Sequence, residues 1–469
     1  MTKNNMLEAA MAIFKEKITE FFSQTTIETL NPDSSECFAR SLHQVLNETG
    51  GEVFRHFIES HESTEDKLFA RGEAYTFKYE SSKTFMTLFG PMELTRRLYQ
   101  NASDSASYIP LDCALGVEKQ LMTREVREAV AFACAHITPE ETADLLKKTA
   151  AFHPHPTQIK KVIRSIGTTR DTHSETIEKS LHDQTQVPKE TQVLAVSMDG
   201  ANVMMREKTT ARRGRPKERP NTGKASSENT AYKNAMVGAI SCYGAPIDGT
   251  KTPERLQSTY VAQMPEPYAP TFKAKLEAEL EGFEKSLPGT TVKVLLCDGA
   301  RNIWNYVENN ERYNEYEKII DYWHAVEHLS KASEALFGKG DKDGLKWYHT
   351  YADALLKHDD GASRLLKSMH YYQKTRKLSA ERDKEVKQQI TFFRRNKDKM
   401  QYAAFRERNL PIGSGPVEAA CKTLVKSRMC RSGMSWSTAG GQDILQLRTY
   451  VKSDRWEAFW KHYNQAMAA

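Results

Sequence analysis

The sequence predicts an α/β protein with a mixed sheet, an all-helical insertion, and a mainly helical N-terminal region that carries a small antiparallel sheet. Two observations point to the sheet: the apolar runs VLAVSMDG and VKVLLCDG, about a hundred residues apart, both end on Asp-Gly. Each run suits a strand covered on both faces. A third observation predicts the insertion, because residues 343–408 are almost purely helical in pattern and heavily charged.

The order of elements after residue 190 predicts the topology of the sheet. Strands are expected at 193–199, 231–243, 255–263, 292–298 and 318–321, with helices at 271–286, near 300–311 and from near His324. Three antiparallel strands followed by alternating helix and strand is the order of a ribonuclease-H-like sheet.

The remaining segments complete the predicted domain organisation. The expected divisions are 1–70, a helical N-terminal or dimerisation region; 71–190, a small sheet plus helices; 191–342, the first part of the catalytic core; 343–408, the helical insertion; and 409–469, the second part of the core with C-terminal helices.

Three helices are expected near 122–136, 139–149 and 156–166, and Thr138-Pro139 is a good helix start. The last two, joined by AAFHPHP, suit either a DNA-binding helix-turn-helix or a plain packing layer.

Composition excludes several classes of protein. The 469 residues carry a formal charge of +6, and the seven cysteines form no CxxC pair, which argues against a zinc ribbon and a secreted disulfide framework. The N-terminus lacks a signal-peptide pattern, and no run of about 18 apolar residues occurs. We therefore expect a reducing, cytoplasmic environment and no membrane partner.

The candidate site begins with Asp199 and Asp298, which follow the two apolar runs. Adjacent strands of one sheet bring such carboxylates to the same edge, where open α/β sheets hold their sites. Two converging carboxylates repel each other and persist together mainly when a divalent cation neutralises them.

A third acid, Glu418, lies in the first turn of a helix that begins near Pro416, after the flexible turn GSG. A glutamate there also serves simply to stabilise the helix dipole. The basic residues that follow favour a phosphate-binding surface instead, and the nearest are Lys422, Lys426, Arg428 and Arg431.

Three carboxylates without a His or Cys cage suit Mg²⁺, with Mn²⁺ as the other candidate ion. Two ions about 3.5–4 Å apart would activate a water or a 3′-hydroxyl and stabilise the leaving oxygen at phosphorus.

Several motifs together resemble the bacterial insertion-sequence transposases of the ISKra type, which are DDE transposases with a ribonuclease-H-like fold. The motifs are VSMDGA, LLCDGA, DYWHAVEHL and LPIGSGPVEAACKTLVKSRMCRSGMSWS. The resemblance extends from about Thr87 onward, including GPMELTRRLY and IPLDCALG, and the C-terminal block is its most specific part.

The resemblance implies that Asp199, Asp298 and Glu418 form the catalytic, metal-binding triad and that a helical insertion precedes the glutamate. DYWH is similar to the C/DxxH motif of related transposases, which implies that His324 lies near the scissile phosphate; a hydrogen-bonded core histidine is the alternative. Relatives with an N-terminal cysteine-pair zinc module are not matched, so DNA ends must be recognised by other means.

Further DNA-contacting residues are expected in the basic segment REKTTARRGRPKERPNTGK, where Arg213-Gly214-Arg215-Pro216 matches the core of an AT-hook. An extended Arg-Gly-Arg strip fits a narrow minor groove, although a solvated basic loop has the same composition. The candidates there are Arg212, Arg213, Arg215 and Lys217. Trp436 is expected either to stack on an unpaired base or to pack in the core.

The expected function is a DNA transposase that cleaves insertion-sequence ends and transfers strands into target DNA. Its partners would be double-stranded DNA and a second copy of the chain, as a homodimer or larger assembly in the bacterial nucleoid. The alternatives are a non-transposing nuclease of the same fold and a catalytically silent, transposase-derived DNA-binding protein.

Overall fold

The computed structural model describes residues 3–25, 29–206 and 232–468 of the chain. It divides into two compact units, Met1–His173 with Trp460–Ala469, and Ser174–Phe459. Both contain helices and strands, which confirms the predicted mixed α/β composition.

The first unit contains the predicted small antiparallel sheet, with four strands in the order β1-β2-β3-β4 where the sequence pattern indicates two or three. Its elements are α1 (Lys3–Gln24), α2 (Pro32–Glu59), β1 (Lys67–Ala70), β2 (Glu73–Thr87), β3 (Gly90–Asn101), β4 (Ser107–Tyr108), α3 (Pro110–Ala114), α4 (Arg124–His136), α5 (Pro139–Thr149) and α6 (Pro156–Thr172).

The helices of this unit begin where the sequence carries capping signals. In α5 the Thr138 hydroxyl accepts a hydrogen bond from the Glu141 amide, and the Glu141 carboxylate accepts one from the Thr138 amide. This reciprocal pair satisfies two donors that the first helical turn would leave unpaired. Helices α4, α5 and α6 pack against one another, with residues 150–155 joining the last two. That six-residue connection is longer than the turn of three or four residues common in helix-turn-helix motifs, and DNA binding by this cluster stays a prediction.

The second unit holds the larger sheet and the helical insertion. Its elements are α7 (Ser174–Asp183), β5 (Val193–Met204), β6 (Tyr232–Pro246), β7 (Pro253–Gln263), α8 (Pro270–Glu284), β8 (Val292–Cys297), α9 (Arg301–Glu308), β9 (Glu317–Ile320), α10 (Tyr322–Phe337), α11 (Lys342–Lys357), α12 (Gly361–Thr375), α13 (Ala380–Asn396), α14 (Tyr402–Glu407), α15 (Gly415–Ala420), a π-helix (Cys421–Lys426), α16 (Ser427–Met429) and α17 (Thr438–Lys452). The last helix, α18 (Trp456–Ala468), begins in this unit.

The larger sheet has the strand order β7-β6-β5-β8-β9. Strand β6 pairs antiparallel with both β5 and β7, while β5, β8 and β9 run parallel to one another. The predicted strands and the helices between them are all present, and their ends differ from the prediction by a few residues, with β5 extending furthest, to Met204.

The register of the parallel strands matters most for the candidate site. Val196 pairs with Leu295, and Cys297 pairs with Ile320. Continued towards the carboxyl ends, this register sets Asp199 beside Asp298, and Asp298 beside Asp321. Neighbouring strands lie about 4.8 Å apart, so three acidic residues converge at one edge of the sheet.

Both faces of the sheet are covered, as the continuous apolar runs predict. Met198 packs in a buried cluster with Phe272 of α8. On the other face, Val203 packs with Val417 of α15 and Leu424 of the π-helix. The segment that carries Glu418 is therefore held directly against the strand that carries Asp199.

Four helices, α11 to α14, occupy the segment predicted to be an all-helical insertion. Helices α11 and α13 pack on α10, and α12 packs on α11 and α13. Because α10 follows β9 directly, the insertion is anchored to the edge strand of the sheet.

A buried ion-pair network joins α8 to α7 and to the residue before α18. Glu279 is 5% exposed and accepts two hydrogen bonds from Arg455, at 2.7 and 2.8 Å, while His182 Nε2 lies 3.3 Å from Oε2. Burial raises the pKa of Glu279, but the hydrogen bond from His182 and the charge of Arg455 lower it overall, below its ordinary value of 4.5.

We expect Glu279→Gln to lower the free energy of unfolding at pH 7 by about 3 kcal/mol, because it leaves the Arg455 charge buried without its partner. A carboxyl with a lowered folded-state pKa stabilises the fold above its unfolded pKa and loses this effect as the pH falls through the folded pKa. Urea unfolding of both proteins between pH 3 and 7 should therefore show converging stabilities at the acid end. The exposed neighbour Glu281 is the control, and Glu281→Gln should leave stability unchanged. If the difference in unfolding free energy between wild type and Glu279→Gln is the same at every pH, the lowered pKa of Glu279 is contradicted.

Among the described residues, every helix is either too short or too polar to cross a lipid bilayer.

Candidate functional site

Two half-buried aspartates follow the last parallel pair of β5 and β8, Val196 and Leu295, by three residues each. Asp298 comes directly after β8, whereas Asp199 lies within β5, which does not end there as predicted but continues to Met204 in its pairing with β6. Asp199 Oδ1 accepts a hydrogen bond from the Gly200 amide at 2.6 Å, and Asp298 Oδ1 accepts one from the Ala300 amide at 3.0 Å. The indole of Trp304 donates to the Asp298 carbonyl at 2.6 Å. The bonds from Ala300 and Trp304 fix the turn that carries Asp298.

The electrostatic environment of Asp298 disfavours its charge. Burial raises the pKa of Asp298, and the charges of Asp199 and Asp321 raise it further; the Ala300 amide and His324 offset part of this effect. Because two neighbouring acids contribute to this rise, a bound cation would stabilise the ionised form of Asp298.

Asp321, on the next strand, is fully buried and differently held. Its Oδ1 accepts a hydrogen bond from the His324 amide at 2.9 Å, and its Oδ2 accepts one from the Ser414 amide. Burial raises the pKa of Asp321, but the hydrogen bonds from His324 and Ser414 lower it overall. Asp321 thus connects the start of α10 to the turn that precedes α15, across the whole insertion.

Glu418 lies in the first turn of α15, with 37% of its side chain exposed. The Ser414 hydroxyl donates a hydrogen bond to Glu418 Oε1 at 3.2 Å, and His324 Nδ1 lies 4.0 Å from the same oxygen. The predicted helix start after GSG is therefore present, and it brings Glu418 towards His324.

His324 stands between the two acidic groups. Its Nδ1 lies 3.4 Å from Asp321 Oδ1. The interaction with Asp321 raises the pKa of His324 to about 9 against the effect of burial, and Asp298 adds to the rise. This rise favours the protonated imidazole at neutral pH. The contact with Asp321 is compatible with both expected roles of His324, a position near the scissile phosphate and a hydrogen-bonded core histidine.

Cys421 joins Asp199 to the Glu418 helix. The cysteine is buried one turn after Glu418, and its thiol forms a hydrogen bond with the Asp199 carboxylate. Burial raises the pKa of Cys421, and the charge of Asp199 and this hydrogen bond raise it further, so the thiol stays protonated. Through Cys421 on one side and His324 on the other, Glu418 is tied to the cluster of aspartates.

A π-helix follows Glu418 at Cys421–Lys426, and a buried arginine accounts for it. Arg448 of α17 donates from Nε to the Leu424 carbonyl at 2.7 Å and from Nη2 to the Thr423 carbonyl. A side chain inserted into the ladder of backbone hydrogen bonds widens the helix locally. The guanidinium thus satisfies carbonyls that the wide turn releases.

Among the described residues, one set of three side chains has metal-ligand atoms within 4.8 Å of one another, namely Asp321, His324 and Glu418. Of the predicted triad it includes Glu418 but neither Asp199 nor Asp298. Both Asp321 oxygens accept backbone hydrogen bonds, and His324 Nδ1 lies 3.4 Å from Asp321 Oδ1. We interpret it as a polar clamp beside the pair Asp199 and Asp298.

The predicted DNA-contacting residues have different outcomes. Lys422 and Lys426 are exposed, and Arg431 is half-buried with its Nε bonded to the Ser427 carbonyl at 3.2 Å. Arg428 is a correction: it is 1% exposed and lies beneath the ring of Trp436, so it is no surface contact. The π-helix explains the error, since its wider turn rotates the following residues away from the face that a regular α-helix would give them.

Trp436 packs against the protein core, which is the second of the two roles expected for it. Its backbone pairs with the end of β5, its indole donates to the Met429 carbonyl at 2.8 Å, and its ring packs against the cluster around Val203. The AT-hook candidates Arg212, Arg213, Arg215 and Lys217 lie outside the described residues.

Sequence reasoning missed the structural roles of Asp321, Ser414, Cys421 and Arg448. A usable signal existed for Asp321, because it directly follows the apolar strand residues Ile319 and Ile320, as Asp298 directly follows the apolar run VLLC. The contacts of Cys421 and Arg448 depend on the packing of distant segments and have no local sequence signal.

No protein-family model matches the chain, and a comparison with curated proteins finds no match either.

Proposed function

We propose that the chain is a metal-dependent DNA transposase of the DDE type, with a ribonuclease-H-like core in which Asp199, Asp298 and Glu418 form the catalytic set. The observation that carries the proposal is the parallel register of β5 and β8, whose last pair, Val196 and Leu295, precedes Asp199 and Asp298 by three residues each. The sheet order, with three antiparallel strands followed by two parallel ones, supports the fold assignment.

The residues at this edge fit a divalent cation. Asp199 and Asp298 offer hard carboxylate oxygens, and burial together with the charges of Asp199 and Asp321 raises the pKa of Asp298, so a cation would stabilise its ionised form. Mg²⁺, with Mn²⁺ as the alternative, prefers such ligands and takes water and substrate oxygens for its remaining positions. When bound, the metal would activate the attacking hydroxyl and stabilise the leaving oxygen.

The other side chains have supporting roles in this proposal. Asp199 and Asp298 would hold the cation and, through it, orient the phosphate. Cys421, through its hydrogen bond to Asp199, and Ser414, through its bond to Glu418, fix the carboxylates. His324 holds its proton in the cluster and directs positive charge towards the position of the scissile phosphate.

Two features suit transposition within this reaction class. Cleavage and joining use the same metal-bound site, with water and then a 3′-hydroxyl as nucleophile. Both element ends must be held at once, so the proposed active form is a homodimer or larger assembly on double-stranded DNA. A silent DNA-binding protein would have no need to keep two repelling carboxylates aligned.

The test incubates the purified chain with labelled DNA that carries the ends of its element and a target plasmid. Mg²⁺ should give nicked DNA with a free 3′-hydroxyl and, later, joined product, while EDTA should abolish both. Nicking without joined product would favour the nuclease alternative, and binding without nicking in Mg²⁺ or Mn²⁺ would favour the silent one.

A further inference from the structure

A basic groove lies beside the turn that carries Asp298. Its walls are Gly299, Arg301 at the start of α9, and one face of the insertion helix α13, and it encloses about 410 Å³. Asp298 directly precedes Gly299, so the groove leads from the insertion to the candidate catalytic edge of the sheet.

The face of α13 that lines the groove repeats at helical spacing. Its polar side chains are Lys384, Lys387, Gln388, Thr391 and Arg395. With Arg301 the described lining has four cations and no carboxylate. Lys387 also pairs with Asp383 at 2.7 Å, but an exposed pair of this kind is weak and leaves the ammonium able to exchange partners.

An aromatic contact joins the two walls of the groove. A Cβ on Gly299 would lie 2.2 Å from the ring of Phe392, so only glycine allows α13 to approach the turn this closely. His328 of α10 stacks on the same ring, with centroids 3.6 Å apart, and its Nδ1 lies 2.6 Å from Gln389 Oε1. The insertion helix and the Asp298 turn are therefore fixed to each other before any ligand binds.

We propose that this groove binds the phosphate backbone of the DNA strand that leads into the catalytic site. This inference rests on the proposed function and adds the surface that guides the strand. From Lys384 to Arg395 the helix rises about 16 Å. That length covers about five phosphates at the rise of 3.4 Å per nucleotide.

The spread of charge selects the class of ligand. A single phosphate or nucleotide needs one compact cluster of donors, whereas a row of cations suits a linear polyanion. The amide of Gln388 and the hydroxyl of Thr391 are further donor types that commonly contact phosphate oxygens. The groove therefore contributes affinity and position, without base specificity.

The test measures the salt dependence of DNA binding by fluorescence anisotropy in EDTA, with a labelled duplex of element-end DNA. The groove variant carries Lys384→Ala, Lys387→Ala and Arg395→Ala. The control variant carries Lys346→Ala, Lys367→Ala and Lys374→Ala, which removes the same charge from exposed positions on α11 and α12. A milder pair, Lys384→Gln with Lys387→Gln, keeps the half-buried Arg395 in place.

We expect the slope of log affinity against log salt to fall by about 2 to 3 in the groove variant and by about 2 in the milder pair, because each lost phosphate contact removes about 0.9. The control should keep the wild-type slope. Equal changes in groove and control variants would show a mere net-charge effect and overturn the groove. If the wild-type protein binds and nicks DNA but the groove variant keeps the wild-type slope, the groove is overturned and the proposed function is left intact. Wild-type protein that neither binds nor nicks would end both proposals.

Discussion

Replacing Asp199 or Asp298 with asparagine is expected to lower the rate of Mg²⁺-dependent DNA nicking by about 10³-fold or more, with DNA affinity unchanged. The substitution keeps the shape of the side chain and its acceptor oxygen but removes the charge that would hold the cation. Single-turnover nicking and anisotropy in EDTA measure the two quantities separately.

Stability provides an independent readout of the same variants. Burial and the neighbouring acids raise the pKa of Asp298. The ionised carboxylate is therefore less favourable in the folded protein than in the unfolded chain, and at neutral pH it lowers the stability of the fold. We therefore expect Asp298→Asn to have the wild-type melting temperature or a higher one, as is usual when function requires clustered like charges. Asp454→Asn, at an exposed position of the same unit, is the control and should nick normally. If Asp298→Asn has a clearly lower melting temperature and nicks DNA normally, Asp298 stabilises the fold and is not catalytic, which would contradict our assignment.

The second large effect is expected at Arg448. Arg448→Met removes the donors to the Thr423 and Leu424 carbonyls and should lower the free energy of unfolding by about 3 kcal/mol, because buried acceptors lose their partners. Burial lowers the pKa of Arg448 to about 10, and the charges of Arg428 and Arg431 add to this effect. The charged guanidinium is therefore unfavourable at this position unless its hydrogen bonds compensate.

The activity of this variant should fall as well, since the π-helix sets the distance from Glu418 and Cys421 to the sheet. Urea unfolding gives the stability change, and nicking below the unfolding transition gives the activity. Lys452→Met, one turn later on the exposed face of α17, should change neither. Wild-type stability in Arg448→Met would mean that the π-helix does not depend on the guanidinium.

Much of the fold follows from local patterns. The apolar runs before Asp199 and Asp298 predict two central strands, because a strand covered on both faces cannot tolerate polar alternation. The Thr138-Pro139 cap and the charged, periodic segment 343–408 predict helices for equally local reasons.

The candidate site is less predictable, because it depends on register and packing. Asp199 and Asp298 can be paired from sequence, but the position of Asp321 beside them requires the pairing of Cys297 with Ile320. The burial of Arg428 depends on the π-helix, whose cause, Arg448, is distant in sequence. Propensity and spacing cannot report contacts of this kind.

The central claim is that the cation binds between Asp199 and Asp298, and the most direct test is the anomalous diffraction of crystals soaked in Mn²⁺. The account predicts a peak within coordination distance of both carboxylates, about 2.0–2.2 Å if the ion follows Mg²⁺ geometry. A peak at Asp321, His324 and Glu418, with none between the other two aspartates, would contradict it.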